Sequence, residues 1–393
     1  MGPSPGKRLA ALILPLPWAQ WTSEARLLLG MVALWSLVGL LVLASASWWV
    51  AGKELGDAAF FVKRQMIWMT ASWVLLWLGV RTSLRRWSHL APFALLFGCL
   101  LVGATLVVGS EVNGASRWLV LGPFQLQPSE LVKPFLVLQG AALFAHWHRT
   151  GMDQKILWLG CFCLLILMIL KQPNLSTASL LFMLLWLIAL ASGLSLRGLF
   201  VTAGAGLLLA GSSLYFNAYQ RARVVSFLDP WQYARTDGYQ LVQSLLAIGS
   251  GQLLGSGFGL STQKLSYLPF QDTDFIFAVF AEEFGFVGSA VLLGFLLLFG
   301  FVGFRIALSC RSNVHRLIAI GGTALLVGQS ILNIAVASGA MPTTGLPLPL
   351  ISYGGNSLMA SLLMCGLLLR CSLESAGLTP PLSGRRRSPQ SAR

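Results

Sequence analysis

Charged residues are rare in this sequence. Asp, Glu, Lys and Arg make up only 10% of its 393 residues, whereas 56% are apolar and the mean hydropathy is +0.74. A soluble domain needs a more highly charged surface, so this composition excludes one. The composition indicates a protein that lies in lipid.

What the sequence has in abundance is long apolar runs. Each is roughly 20 residues long, the length a helix needs to cross about 30 Å of hydrocarbon. We therefore predict an all-α polytopic membrane protein with ten transmembrane helices. The predicted spans are about 27–50, 59–80, 88–109, 129–147, 155–171, 176–194, 198–216, 284–304, 317–338 and 357–371.

Basic residues orient these spans. Most of the 27 Lys and Arg fall in segments that face one side, which the positive-inside rule assigns to the cytoplasm. We predict a cytoplasmic segment at 1–26, a membrane domain at 27–372, a basic cytoplasmic tail at 373–393 and a long extracytoplasmic loop at 217–283. Both termini then face the cytoplasm of a multi-pass protein in the cytoplasmic (inner) membrane. The net charge of +14 reflects this topology, so we predict no nucleic-acid partner.

Acidic residues show the opposite distribution. Apart from Glu24, Asp153 and Glu374, the 13 acids lie outside the membrane or near its outer face. All four His are on the inner side, which argues against an outer His-based nucleophile or metal triad. The six Cys are scattered without zinc spacing or a disulfide pattern. Any chemistry is therefore expected at the outer face, with carboxylates and without a protein-built metal site.

Four carboxylates lie in the outer stretch YLPFQDTDFIFAVFAEEFGFVG. Counting back from Arg305 at the inner face puts Glu282 and Glu283 in the first turn of a span, where they would anchor the helix at the interface. Asp274 would begin a short apolar helix at 274–281. It is either a helix cap or a carboxylate whose pKa is raised by apolar surroundings toward that of a working base. Asp272 is expected to be a solvated loop acid.

Two further polar clusters face outward. Arg117 lies in a loop, and Glu130 and Lys133 form a predicted i,i+3 ion pair at the start of the fourth span. The stretch PTTGLPLPLISYGGNSL predicts a rigid re-entrant loop, which survives in a membrane only when it lines protein or a cavity. Together they predict a polar cleft that opens outward. The glycines at 249–259 predict tight turns, with a phosphate-binding nest as the alternative.

Several motifs occur in the order found in the SEDS family (shape, elongation, division and sporulation), which includes FtsW, RodA and SpoVE. They are NGASRW, QPSELVK, FLDPW, GYQLVQSLLAIGSG, TDFIFAV, EEFGFVG and GLPLPLISYGG. The resemblance spans about residues 27–372 and is strongest to the FtsW branch. Departures from the family pattern at Asn174 and Asp272 leave neither with support for a catalytic role.

The resemblance implies a fold of ten helices and a peptidoglycan glycosyltransferase that polymerises lipid II outside the membrane, here for septal wall synthesis in cell division. It implies that Asp274 is catalytic and that Arg117, Glu130 and Lys133 line the substrate cavity. Attack by the acceptor hydroxyl needs one general base, and the leaving pyrophosphate needs cations or a divalent ion such as Mg²⁺ or Mn²⁺. We add Arg221 and Arg223 as outer substrate-binding cations.

Two other functions remain open. A lipid II flippase would need a polar pathway to both leaflets, but the inner halves of the spans carry almost no ionisable groups. A non-catalytic scaffold would recruit a transpeptidase and leave the acid and cations without a role. Expected partners are lipid II, a class B penicillin-binding protein, other division proteins and the membrane itself.

Overall fold

The computed structural model describes residues 20–112, 115–122, 124–265 and 267–378. This part of the chain is mostly helical, as predicted. In chain order the helices are α1 (Ser23–Leu55), α2 (Phe60–Arg81), α3 (Leu84–Val108), α4 (Pro128–Leu131), α5 (Lys133–Ala145), α6 (Met152–Lys171), α7 (Leu175–Ala191), α8 (Leu196–Phe216), α9 (Ala218–Leu228), α10 (Tyr239–Ser250), α11 (Ile276–Ser309), α12 (Asn313–Ala337) and α13 (Gly355–Ser375).

Each predicted span coincides with a helix or, in one case, with a pair of helices. Within the described residues, α1, α3, α6, α8, α11, α12 and α13 are long and apolar enough to cross a membrane, and α7 is a shorter apolar helix. The fourth span was predicted as one helix at 129–147. It is broken at Val132, two residues before Pro134, into α4 and α5, because proline cannot supply an N–H within a helix. The total of ten spans stays a prediction.

Helix α13 forms the centre of the membrane domain. Its most apolar stretch is 94% buried, and α2 is the helix against which it packs most extensively. Glycines allow this close approach: a Cβ at Gly366 would lie 2.4 Å from the carbonyl oxygen of Leu76, and one at Gly79 would lie 3.1 Å from Gly366. Small residues at a helix crossing are typical of membrane proteins, where packing replaces the hydrophobic effect as the driving force.

Helix α8 is the least buried of the long apolar helices within the described residues. Only 6% of its most apolar stretch is buried, and it packs mainly on α7 and α9. Leu207 and Leu208 are exposed, as expected for a helix that faces lipid. The molecule therefore has a densely packed half around α13 and a loosely packed edge at α8.

A small sheet interrupts the otherwise helical fold between α3 and α4. Its strands are β1 (Ser110–Val112), β2 (Ala115–Leu121) and β3 (Phe124–Leu126), and they form an antiparallel meander in the order β1-β2-β3. The sheet was not predicted. Its function in the fold is to carry Arg117 on its central strand.

Helix α11 is bent at Gly285, whose backbone is non-helical (φ 65°, ψ −164°). A bend leaves amides and carbonyls without their usual helical partners. The glycine-rich turn supplies replacements. Phe286 N and Val287 N donate to the carbonyls of Gln252 and Leu253, at 2.9 and 3.0 Å. The carbonyls of Glu282 and Glu283 accept from the amides of Ser256 and Gly257, at 2.9 and 3.0 Å.

The glycines of this turn therefore serve close packing rather than phosphate binding. Gly255 adopts φ +83°, and a Cβ there would lie 2.2 Å from the carbonyl oxygen of Glu283. The predicted boundaries around the bend need correction. The separate short helix before the span is confirmed, but it begins at Ile276 rather than at Asp274 and ends at the bend at Gly285 rather than at Ala281.

Glu282 and Glu283 are buried within the protein, and their predicted depth at the membrane interface stays a prediction. The Glu282 carboxylate accepts from Ser261 Oγ and from both the amide and the hydroxyl of Thr262, each at 2.9 Å. Glu283 forms an ion pair with Lys264 at 2.7 Å and accepts from Ser45 Oγ of α1. These acids therefore fasten an extramembrane segment to the helices, as their predicted anchoring role requires, and their partners offset the cost of burying the charges.

Candidate functional site

Asp274 lies in a tight turn immediately before α11. The Phe270 carbonyl closes this turn by accepting from the amides of Thr273 and Phe275, at 3.1 and 3.2 Å, and Phe270 itself has φ +55°. The N-cap of α11 is Phe275, without a side-chain cap. The capping interpretation of Asp274 is therefore wrong.

The backbone around Asp274 is held from two sides. Asn333 Nδ2 of α12 donates to the carbonyls of Asp274 and Leu346, both at 2.8 Å. In the predicted re-entrant loop, Ser352 Oγ donates to the carbonyl of Thr273 at 2.6 Å, and the amide of Tyr353 donates to the carbonyl of Asp272 at 2.8 Å. Asp274 thus has a fixed position, although it lies outside regular secondary structure.

The Asp274 carboxylate has no such partners. Among the described residues, nothing forms a hydrogen bond or an ion pair with it. It is half-buried and lies beside Gly345, where a Cβ would approach Asp274 Oδ2 to 3.7 Å and Arg117 Nη1 to 3.6 Å. An acid that is rigidly placed, partly dehydrated and unpaired is available to take a proton.

Arg117 is directed toward this acid by its other contacts. Its Nε donates to the carbonyl of Gln172 at 3.2 Å and its Nη2 to that of Pro173 at 2.6 Å, both in the α6–α7 connection. Only Nη1 is left to face Gly345 and Asp274. Arg117 is therefore positioned to hold negative charge next to the acid.

Arg223 supplies a second cation from α9. Its guanidinium lies over the ring of Tyr219, 4.6 Å from the centroid, and its Nη1 donates to the carbonyl of Thr343 at 3.3 Å. Arg221 was predicted to act with it, but the structure places it elsewhere. Arg221 is exposed and bonds to the carbonyl of Tyr215 at 2.9 Å. Residues two apart on a helix point in different directions, which is why only one reaches the site.

Burial raises the pKa of Asp274 to about 6. The charge of Arg223 and then that of Arg117 oppose this rise, whereas the charges of Asp272 and Glu130 add to it. Burial also lowers the pKa of Arg117 and raises that of Asp272. A carboxyl whose pKa is near the working pH is suited to general base catalysis.

The predicted ion pair of Glu130 and Lys133 is confirmed, and both side chains are buried. Lys133 Nζ also donates to Gln329 Oε1 at 3.0 Å, and Gln329 Nε2 donates to the carbonyl of Pro347 at 2.8 Å. These contacts connect α4 and α5 to α12 and to the re-entrant loop. Lys133 thus lies behind the site and supports its wall, whereas Arg117 and Arg223 line it.

A cavity of about 330 Å³ is lined by Arg117 and by Gly345, the residues that lie beside the acid. Its polar rim includes Arg117, Tyr219 and Arg223, and the buried hydroxyl of Thr344 has no hydrogen-bond partner among the described residues. Below the rim the lining is apolar and continues into a groove of about 350 Å³ among α6, α7 and α8. The two cavities share the side chains Leu175, Ser179 and Met183.

Sequence reasoning missed the residues that fix the site. Asn333 and Gln329 are buried polar side chains one turn apart in an apolar span, and this is a signal that could have found them. Asp272 is half-buried rather than solvated, because the re-entrant loop bonds to its backbone. Asn174 caps α7 through the amide of Thr177, which explains its amide side chain without catalysis.

No group of three or more His, Cys, Asp or Glu side chains within the described residues is arranged to hold a metal ion. The predicted alternative of Mg²⁺ or Mn²⁺ stays open, because a substrate pyrophosphate and water can supply most of the oxygens that such ions require.

The fold and the site define a class: a polytopic membrane protein with an unpaired acid, flanked by arginines, above an apolar groove. A family model described as "Cell cycle protein", which covers FtsW, RodA and SpoVE, matches residues 25–377, and the chain belongs to this family. This confirms the resemblance seen in the sequence motifs.

Curated relatives cover most of the chain. A probable peptidoglycan glycosyltransferase FtsW of Synechocystis sp. is 51% identical over 364 residues, which is 91% of either chain. A putative peptidoglycan glycosyltransferase FtsW of Mesostigma viride is 45% identical and covers 91% of this chain and 86% of its own. The probable FtsW of Halorhodospira halophila is 38% identical, with 91% and 92% covered.

Solved structures agree on the fold. A chain from a peptidoglycan synthase complex, described for its coordination of polymerization and crosslinking, aligns with a TM-score of 0.73 at 32% identity. The crystal structure of the Thermus thermophilus rod shape determining protein RodA aligns with a TM-score of 0.67 at 30% identity. In each case 91% of this chain and 99% of the other are covered.

Proposed function

We propose that this protein is a peptidoglycan glycosyltransferase that polymerises lipid II at the outer face of the membrane, with Asp274 as its general base. The observation that carries the assignment of Asp274 is its carboxylate, which is rigidly placed but unpaired beside Arg117. The names of the relatives, together with this site, support glycosyl transfer.

The geometry suits one displacement. The Asp274 carboxylate takes the proton of the acceptor 4-hydroxyl while that oxygen attacks the anomeric carbon of the donor. The bond between this carbon and the lipid pyrophosphate breaks, and the pyrophosphate leaves with the bonding electrons. Arg117 and Arg223 stabilise the negative charge that develops on it. A pyrophosphate leaves without protonation, so a second acid is not required.

The cavity matches an amphipathic substrate. Its arginine-bearing rim suits the pyrophosphate, and the apolar groove among α6, α7 and α8 suits a polyprenyl chain. Since the groove opens along the loosely packed α8, a lipid-linked substrate could enter from the bilayer without leaving it. The positive-inside distribution supports cytoplasmic termini and a site at the outer face.

The biological setting follows from the relatives. FtsW naming supports septal wall synthesis in the cytoplasmic membrane together with other division proteins. The structural neighbour described for polymerization and crosslinking supports a class B penicillin-binding protein as the transpeptidase partner.

The deciding experiment uses the purified chain, alone and co-purified with its transpeptidase, reconstituted with labelled lipid II. Glycan ladders on a gel are expected, and the matched Asp274→Asn protein should not produce them. Leaflet exchange of lipid II without ladders would replace the proposal with a flippase. Neither activity, with an intact complex, would replace it with a scaffold.

A further inference from the structure

The segment between α10 and the Asp274 turn is unusually poor in charge for an extramembrane loop. From Gly251, which follows α10, to Gln263 the sequence contains no charged residue. The next charge along the chain, Lys264, is turned inward to Glu283. A loop bathed in water has no physical reason to avoid charge over such a length.

The glycine segment, defined here as residues 251–260, exposes large apolar side chains. Leu254 is 80% exposed, Leu253 68%, Leu260 64% and Phe258 55%. Four such side chains in so short a segment exceed the scattered apolar exposure of an ordinary surface. They require an apolar partner.

The backbone of this segment is fixed against a helix surface that already faces lipid. The hydrogen bonds from Phe286 and Val287 to Gln252 and Leu253 place the exposed leucines next to the first turn after the bend in α11. Phe286 is itself 65% exposed and begins the apolar outer surface of this span. The apolar surface of the glycine segment is thus continuous with that of α11.

The depth of the segment is set by the same helix. Residues 286–304 would extend about 28 Å at 1.5 Å per residue, close to the roughly 30 Å of hydrocarbon. With Arg305 at the opposite boundary, Phe286 lies where the acyl chains meet the headgroups. Leu253 and Leu254 then lie at that level too.

We propose that the glycine segment inserts into the membrane, resting in the boundary between headgroups and acyl chains of the leaflet on the Asp274 side. Interfacial elements of this kind bury their apolar face about 5–10 Å deep. The occupant of this surface is lipid, because the patch is uncharged and directly continues the lipid-facing surface of α11. The inference rests on the membrane disposition of the fold and not on the proposed activity.

The insertion has a consequence for the site. The carbonyls of Glu282 and Glu283 bind the glycine segment, and the same helix begins at the Asp274 turn. Anchoring the segment in the leaflet therefore fixes the height of Asp274 relative to the headgroups, where the phosphates of any lipid-linked molecule lie.

The test uses a fluorophore at Leu254, introduced as Leu254→Cys in a Cys163→Ser background because Cys163 is an exposed native cysteine. The labelled full chain is placed in phosphatidylcholine nanodiscs. Quenching is measured with doxyl-labelled lipid and, separately, with aqueous iodide. Val291→Cys, on the exposed surface of α11, is the lipid control. Asp237→Cys, exposed before α10, is the aqueous control.

We expect doxyl lipid to quench the probe at position 254 to within roughly twofold of its effect at 291, as interfacial insertion requires, and iodide to have little effect. Iodide quenching like that at 237 would overturn the proposal and indicate a solvated loop. Resistance to both quenchers in this single-protein sample would also overturn it, because protein rather than lipid would then cover the segment.

Discussion

Asp274 and the pair Glu282–Glu283 belong to one short stretch of chain, yet they have opposite surroundings. Glu282 and Glu283 are buried, and their carboxylates are held by hydroxyls, an amide and the Lys264 ammonium. Asp274 is only half-buried, and its carboxylate has no partner among the described residues. The buried acids thus have direct hydrogen-bonding or ionic partners, whereas the accessible acid has only the nearby charges of two arginines.

This difference separates structural from chemical carboxylates. A buried carboxylate is tolerated only when it is paired and hydrogen-bonded, so the partners of Glu282 and Glu283 indicate that their function is to hold the fold together. An unpaired carboxylate on a fixed backbone gains nothing for stability. Its position beside two arginines suits a group that must accept a proton.

The largest expected effect comes from Asp274→Asn. This variant keeps the size of the side chain, and no cap is lost, but the amide cannot accept the acceptor's proton. Polymerisation of lipid II should fall by roughly 10²–10⁴-fold, the range for a lost general base, while thermal stability is not lowered. Glu282→Gln is the matched control and should retain far more activity per folded molecule. Normal ladders from a folded Asp274→Asn protein would contradict the mechanism.

Variants of the Lys264–Glu283 pair should lose stability and keep activity, the opposite of Asp274→Asn. Glu283→Gln or Lys264→Met leaves a buried partner unpaired, which costs about 3–5 kcal/mol. Thermal unfolding in detergent should therefore shift strongly, with activity per folded molecule largely kept. The double variant should lose less than the sum of the two, since neither charge is then left alone. Additive losses would show that the pair is not coupled.

Sequence patterns predicted the fold well where the signal was local. Apolar runs located the helices because a lipid-facing or buried helix needs only length and hydrophobicity. The i,i+3 spacing predicted the Glu130–Lys133 pair because side chains three residues apart on a helix are neighbours. The break between the short helix and the span was predicted between residues 281 and 284, but the bend lies at Gly285. Its position depends on hydrogen bonds with residues 252–257, which are remote in sequence.

The candidate site was predicted in part. The motif resemblance identified Asp274 and Arg117, and the choice of outer cations added Arg223; the structure brings these three residues to one side of the fold. Sequence could not show that Glu283 is paired with Lys264 while Asp274 is free, since pairing depends on how the loop folds back onto α11. Nor could it exclude Arg221, whose direction is fixed by the register of α9.

A smaller effect should appear in the pH dependence. With the pKa of Asp274 at about 6, kcat/KM should fall as the pH drops through that value, because the protonated acid cannot act as a base.

The same raised pKa also makes the free energy of unfolding depend on pH. A raised pKa in the folded state means that the stabilising contribution of the protonated form is present at low pH and is lost as pH rises through about 6. Asp274→Asn should abolish this component of the unfolding profile, whereas a profile identical to that of the parent would contradict the raised pKa.

The smallest effect is the most specific, since it separates two arginines that are nearly adjacent in sequence. Among the charges near Asp274, that of Arg223 lowers its pKa most. In Arg223→Gln, the fall of kcat/KM at acid pH should therefore begin at a higher pH. The plateau of kcat/KM should also be lower, because the variant lacks the positive charge that stabilises the leaving pyrophosphate. Arg221→Gln removes the same charge from the exposed side of α9 and should leave the limb in place. Equal shifts in both variants would mean that overall charge, rather than Arg223 in the site, tunes the acid. The absence of any shift would mean that Arg223 does not act on Asp274.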